Sequence, residues 1–154
     1  MYSPKGGEEV ATKGRPFTVR LRPEVERRLE EEARRARQPK TVMLEALADE
    51  ALRMRRFPGI GFTGPEHDRR AYLSGTGLEV WEVVELHRDY GEEGRDLLLE
   101  AHPLTERQLR VALAYNKGYP EEIDRRVREN ARTPEEWHEI YPGLVLPPGE
   151  DTAR

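Results

Sequence analysis

The hydrophobic pattern of GRPFTVRLRPEVERRLE, residues 14–30, changes period part-way along. Phe17, Val19 and Leu21 alternate with Thr18, Arg20 and Arg22, which is the period of a half-buried strand. From Pro23 onward Val25, Leu29, Ala33 and Ala36 recur at helical spacing, and proline suits a first helical turn because its missing N–H has no partner there. The spacing therefore predicts a strand over 16–22 running directly into a helix. A strand this short cannot bury its apolar face alone, and the nearby chain supplies no partner. RQPK breaks the helix. A second helix is predicted from about Pro39 or Thr41 to about Arg55, with Met43, Leu44, Leu47, Ala48, Ala51 and Leu52 on a broad apolar face.

RFPGIGFTGPEHD is rich in glycine and proline and reads as a joint, which places a domain boundary between 57 and 58. Beyond it RRAYL is a candidate short strand, SGTG turns the chain, and Val80 to Tyr90 is helical. GEEGRDLLLEAHP reads as a short helix ended by Pro103. Thr105 with Gln108 three residues later forms a capping-box signature, and Gly118 or Pro120 ends or bends the helix it opens. PEEIDRRVREN reads as a further, exposed helix. Trp81, Val84, Leu98, Leu109, Ala112 and Leu113 are expected to form a small helical core. The expected fold class is mainly α with short β. The expected domains are a flexible arm over 1–14, a strand–helix–helix domain over 15–57, a helical domain over 58–131 and a tail over 132–154.

Charge sharpens this division. The net charge is −4, but residues 1–57 carry +4 and the remainder −8, and residues 11–22 hold Lys13, Arg15, Arg20 and Arg22 with no acid. A basic first part facing an anion and a differently employed second part are expected. There is no cysteine, hence no disulfide framework or thiolate metal site. No apolar run approaches the ~20 residues of a membrane span. No signal-peptide core precedes residue 16. A soluble cytoplasmic protein that does not engage membranes is expected.

Chemistry is sparse. His67, His87, His102 and His138 are scattered; His87 and Asp89, two apart on a helix, do not share a face. WHEIY lacks the second histidine of a zinc helix, and SGTG lacks the lysine and spacing of a phosphate loop, so a tight turn is its reading. No serine nucleophile has a base partner. No catalytic residue, metal site or cofactor is expected, and the chain is read as not an enzyme.

The stretch FTVRLRPEVERRLEEEARRARQPKTVMLEALADEALR, residues 17–53, resembles the ribbon-helix-helix DNA-binding proteins of the MetJ/Arc/CopG type. That resemblance implies that two chains pair their strands antiparallel, which supplies the missing partner. The homodimer would form through residues 16–22 and the two following helices. Phe17, Val19 and Leu21 would pack beneath the ribbon, while Thr18, Arg20 and Arg22 would face the bases of a double-stranded operator. A two-stranded ribbon fits the major groove, arginine suits guanine O6 and N7, and threonine suits a base edge or a thymine methyl. Lys40, Thr41 and Val42 lie where the family anchors DNA phosphates. Gln38-Pro39 departs from the family's usual Gly/Ser turn, and Pro39 lacks an N–H. Without the resemblance, alternating Thr and Arg on a strand is also the pattern of a solvated face.

GTGLEVWEVVEL, HPLTERQLRVALAY and PEEIDRRVREN, in that order, resemble small helix-turn-helix-like domains over about residues 58–142. Members of that family are often antitoxins paired with PIN-like nuclease toxins. The resemblance implies an autorepressing antitoxin of a toxin–antitoxin pair. The tail carries Trp137, Ile140, Tyr141, Leu144, Val145 and Leu146 in a short proline-bounded segment. It either folds back on the second domain or docks in a toxin groove with its aromatics as anchors. Arg132 and Arg154 are candidates to reach an acidic toxin site. The competing reading is a stand-alone ribbon-helix-helix regulator whose second domain mediates assembly or senses a ligand.

Overall fold

A computed structural model describes residues 14–131 together with 136 and 139. The chain divides into two compact units, Met1–Met43 and Leu44–Arg154.

In the first unit, residues 14–22 carry neither helix nor strand in the single chain. Helix α1 spans Pro23–Ala36, opened by Pro23 at N1 and buried at Leu29 and Ala33. Glu24 and Glu26 lie in its first turn and Arg34 and Arg35 in its last, each sign matched to the helix dipole. Arg37 closes it in the left-handed region, φ 53°, ψ 41°. The Arg37 N–H donates to the Ala33 and Arg34 carbonyls, and the Gln38 N–H donates to Ala33 at 2.9 Å. That closure satisfies the orphan carbonyls of the last turn, at a cost of about 1 kcal/mol for a non-glycine residue with positive φ. Helix α2, Lys40–Arg56, begins in this unit and is continuous into the second.

The second unit has a hairpin and four further helices among the described residues. Strands β1 (Ile60–Thr63) and β2 (Arg70–Leu73) pair antiparallel, Ile60 opposite Leu73 and Thr63 opposite Arg70. RRAYL is thus a strand as expected. The glycine- and proline-rich stretch read as a joint instead carries β1. Its Phe57 and Ile60 are buried in the core, and a Cβ at Gly61 would sit 2.7 Å from the Tyr72 ring. At Gly64, φ is +96° and a Cβ would stand 2.5 Å from the Asp68 carbonyl. These two glycines serve close approach rather than looseness.

Helices α3 (Val80–Tyr90), α4 (Arg95–Ala101), α5 (Glu106–Gly118) and α6 (Pro120–Asn130) complete the unit. Thr105 and Gln108 form the expected capping box, and Glu79 with Glu82 forms a second one at α3. Val84, Leu98, Leu109 and Ala112 are buried, with Trp81 and Leu113 packed against them. Val80, Val83, Leu104 and Tyr115 join the same core. Helix α6, read from sequence as exposed, is amphipathic: Ile123 is buried and Val127 packs on the core. No helix of the described residues is long and apolar enough to cross a membrane.

Candidate nucleic-acid interface

The first unit holds both groups of candidate DNA contacts. Phe17 is 86% exposed and Val19 51%, while Leu21 is half-buried. Thr18, Arg20 and Arg22 are exposed. Arg22 is extended, φ −63°, ψ 145°, and its carbonyl accepts the N–H groups of Val25 and Glu26 at 3.0 Å. The extended segment therefore joins α1 directly at Pro23. Of its apolar side chains, Phe17 and Val19 face solvent in the single chain.

At the start of α2 the Pro39 carbonyl accepts the Met43 N–H at 3.0 Å. Pro39 thus occupies the cap position and Lys40, Thr41 and Val42 are the first three helical residues. Their N–H groups have no helical carbonyl to bond, so the missing proline N–H removes none of the three. The first turn of α2 contains no acid, and backbone donors with a positive dipole end favour an anion. Lys40 is already engaged. Its Nζ donates to Glu26 at 2.8 Å and to Glu30 at 3.3 Å, and these bonds, Glu26 first, hold its pKa above the ordinary lysine value. An open depression of about 440 Å³ beside it is lined by Glu30, Ala33, Arg34, Arg37, Gln38 and Lys40. The Glu26 and Glu30 contacts were not read from the sequence. Their spacing of four on α1 is visible there, but the meeting with Lys40 depends on the turn.

Ion networks run through the described residues of the second unit. Arg53 NH1 donates to the Tyr115 hydroxyl at 2.9 Å and to Glu122 at 2.7 Å, and its guanidinium lies 4.0 Å from the Tyr119 ring centroid. Burial alone would lower the Arg53 pKa, but Tyr115 and Glu122 outweigh it and the net direction is upward. The Tyr115 hydroxyl, donating to Glu122 at 3.0 Å, is pushed well above its ordinary value by burial and then by that carboxylate. Arg69 clasps Glu50 with two bonds of 2.6 and 3.0 Å and also donates to the Phe62 and Gly64 carbonyls. That covers backbone acceptors along β1. Arg126 bridges Asp68, Glu129 and the Arg69 carbonyl.

The remaining candidates stay apart. The SGTG segment is a turn in which the Thr76 hydroxyl donates to Leu73 O and accepts from Leu78 N. His87 meets Glu92 at 3.0 Å and His102 stacks edge-on to Tyr90, while His67 is exposed. No cluster of three or more His, Asp or Glu side chains suited to a metal occurs among the described residues. Arg132, Trp137, His138, Ile140, Tyr141, Leu144, Val145, Leu146 and Arg154 lie outside the described residues. Comparison with known proteins gave no matching family model, no similar curated protein and no similar solved structure.

Proposed function

We propose that this chain is a DNA-binding repressor acting as a dimer of ribbon-helix-helix type. The observation that carries the reading is the pair Phe17 and Val19, which stand 86% and 51% exposed on a partnerless segment leading straight into two helices. Val25, Val42, Leu47, Leu52 and Met54 are also exposed on those helices. A second copy pairing its own segment antiparallel would cover these residues and turn Thr18, Arg20 and Arg22 outward as a basic ribbon. Lys40, Thr41 and Val42 would then meet the flanking phosphates. Selection of duplexes from a random pool, followed by gel-shift titration, tests this. Arg20→Ala should lose about 1–3 kcal/mol of discrimination at one base pair of each half-site while keeping most of its affinity for random duplex. Equal binding of every duplex by the unmutated chain would sink the assignment.

The second half of the proposal is that the chain is an antitoxin whose C-terminal part, including Trp137 to Leu146, neutralises a PIN-like ribonuclease. Its support is the resemblance over about residues 58–142 and the acidic balance of that part. Co-expression with the product of an adjacent reading frame tests it. Loss of protection on Trp137→Ala with Tyr141→Ala supports the role. A neighbour that is harmless when expressed alone points to a stand-alone regulator.

A further inference from the structure

The two acids that hold Lys40 reach it at the first position of α2. Glu26 and Glu30 are one turn apart on α1, a like-charge pair that is unfavourable unless a cation bridges it. Lys40 is that cation, reaching across the turn to 2.8 and 3.3 Å. It sits at the first position of α2, where the helix dipole disfavours a positive charge. The acids on α1 therefore compensate a cation placed against its own helix end. Arg34 and Arg37 line the same depression and make no ion pair among the described residues. All three partners are solvent-accessible, with side-chain exposures of 43–51%, so the pairing is exchangeable rather than locked.

We propose that Glu26 and Glu30 gate the phosphate anchor, holding Lys40 until a DNA phosphate displaces them and thereby lowering affinity for duplex of any sequence. This rests on the DNA-binding reading above and adds to it the regulation of the same site. Lys40 turns from carboxylate to phosphate on binding, so part of its attraction for DNA is spent on leaving its partners. Each carboxylate left near a phosphate also repels it. At a separation of several ångströms in water that repulsion is a factor of about two per pair, and a dimer carries four such acids. Base readout by Thr18 and Arg20 is untouched, so the gate suppresses background binding without altering which sequence is preferred.

The test uses the full chain and a random-sequence duplex about two helical turns long. Glu26→Gln with Glu30→Gln should tighten binding about tenfold at low salt and steepen its salt dependence. Each single change should give about threefold. Lys40→Ala should weaken binding more in the double-glutamine background than in the parent, because only there is Lys40 unencumbered. Melting midpoints should barely move, since exposed pairs of this kind contribute little to stability, and the single variants serve if the double variant folds poorly. Binding unchanged within twofold, or additivity of the Lys40 and Glu changes, overturns the gate. Absence of duplex binding by the parent overturns the DNA-binding reading and the gate with it.

Discussion

Arg53 shows how a single charged residue is made tolerable inside a packed unit. Its NH1 donates to Tyr115 and Glu122 and its guanidinium lies over the Tyr119 ring, while Asp49 Oδ2 stands 2.9 Å from Nε as an ion pair without hydrogen-bond geometry. The Tyr115 side chain is fully buried, so removing Arg53 takes the donor from its hydroxyl oxygen and the cation from Glu122, leaving the hydroxyl and carboxylate bonded only to each other. Arg53→Met should therefore cost about 2–3 kcal/mol, the range for stranding buried polar groups. Arg53→Lys should recover little, because an ammonium cannot both fork to two acceptors and lie flat on a ring. Urea unfolding followed by tryptophan fluorescence, with Trp81 packed on the same core, reads both. A loss under about 0.5 kcal/mol for the methionine variant would mean that Glu122 simply re-enters water.

At the scale of elements the informative feature is a segment that has strand periodicity and no strand. Residues 14–22 pair with no strand among the described residues, and in the ribbon proposal a second copy supplies the ladder. This gives Val19→Glu two opposed expectations. In the single chain Val19 is half in solvent, and a glutamate there is nearly neutral. Beneath an intermolecular ribbon it buries four carboxylate oxygens across the two-fold axis with no cation, which is prohibitive. Sedimentation at low micromolar concentration should show a dimer for the parent and a monomer for the variant. A parent that sediments as a compact monomer contradicts the ribbon.

For the whole molecule, the two units differ in how much they bury. Among the described residues the first unit has Leu29, Ala33 and Met43 inside, whereas the second has a core of thirteen buried side chains. Small domains with little core commonly rely on a partner to hold together. If the first unit is completed by dimerisation, its unfolding midpoint must depend on protein concentration. The second unit closes its own core and its midpoint must not. Far-UV circular dichroism over a hundredfold dilution should show an early transition that moves and a later one that stays fixed. Tryptophan fluorescence should follow only the later one, because both tryptophans belong to the second unit and Trp81 packs on its core. A single concentration-independent transition would remove the basis for a completing partner.

Local chemistry alone determined much of the helical layout. Pro23 and the spacing of Leu29 and Ala33 specify α1, and Thr105 and Gln108 specify the start of α5, because each signal acts within a turn or a few residues. The tertiary structure alone decided what the glycines around Phe57 are for, since a missing Cβ is read as flexibility until a Tyr72 ring is found lying against it. It also turned α6 from a charged helix into one that buries Ile123. It joined Lys40 to Glu26 and Glu30, and Arg53 to Tyr115 and Glu122. Those partners are ten to sixty-nine residues apart. Pairings over such separations leave no periodicity in the sequence, because they are set by where folded elements meet and not by the residues between them.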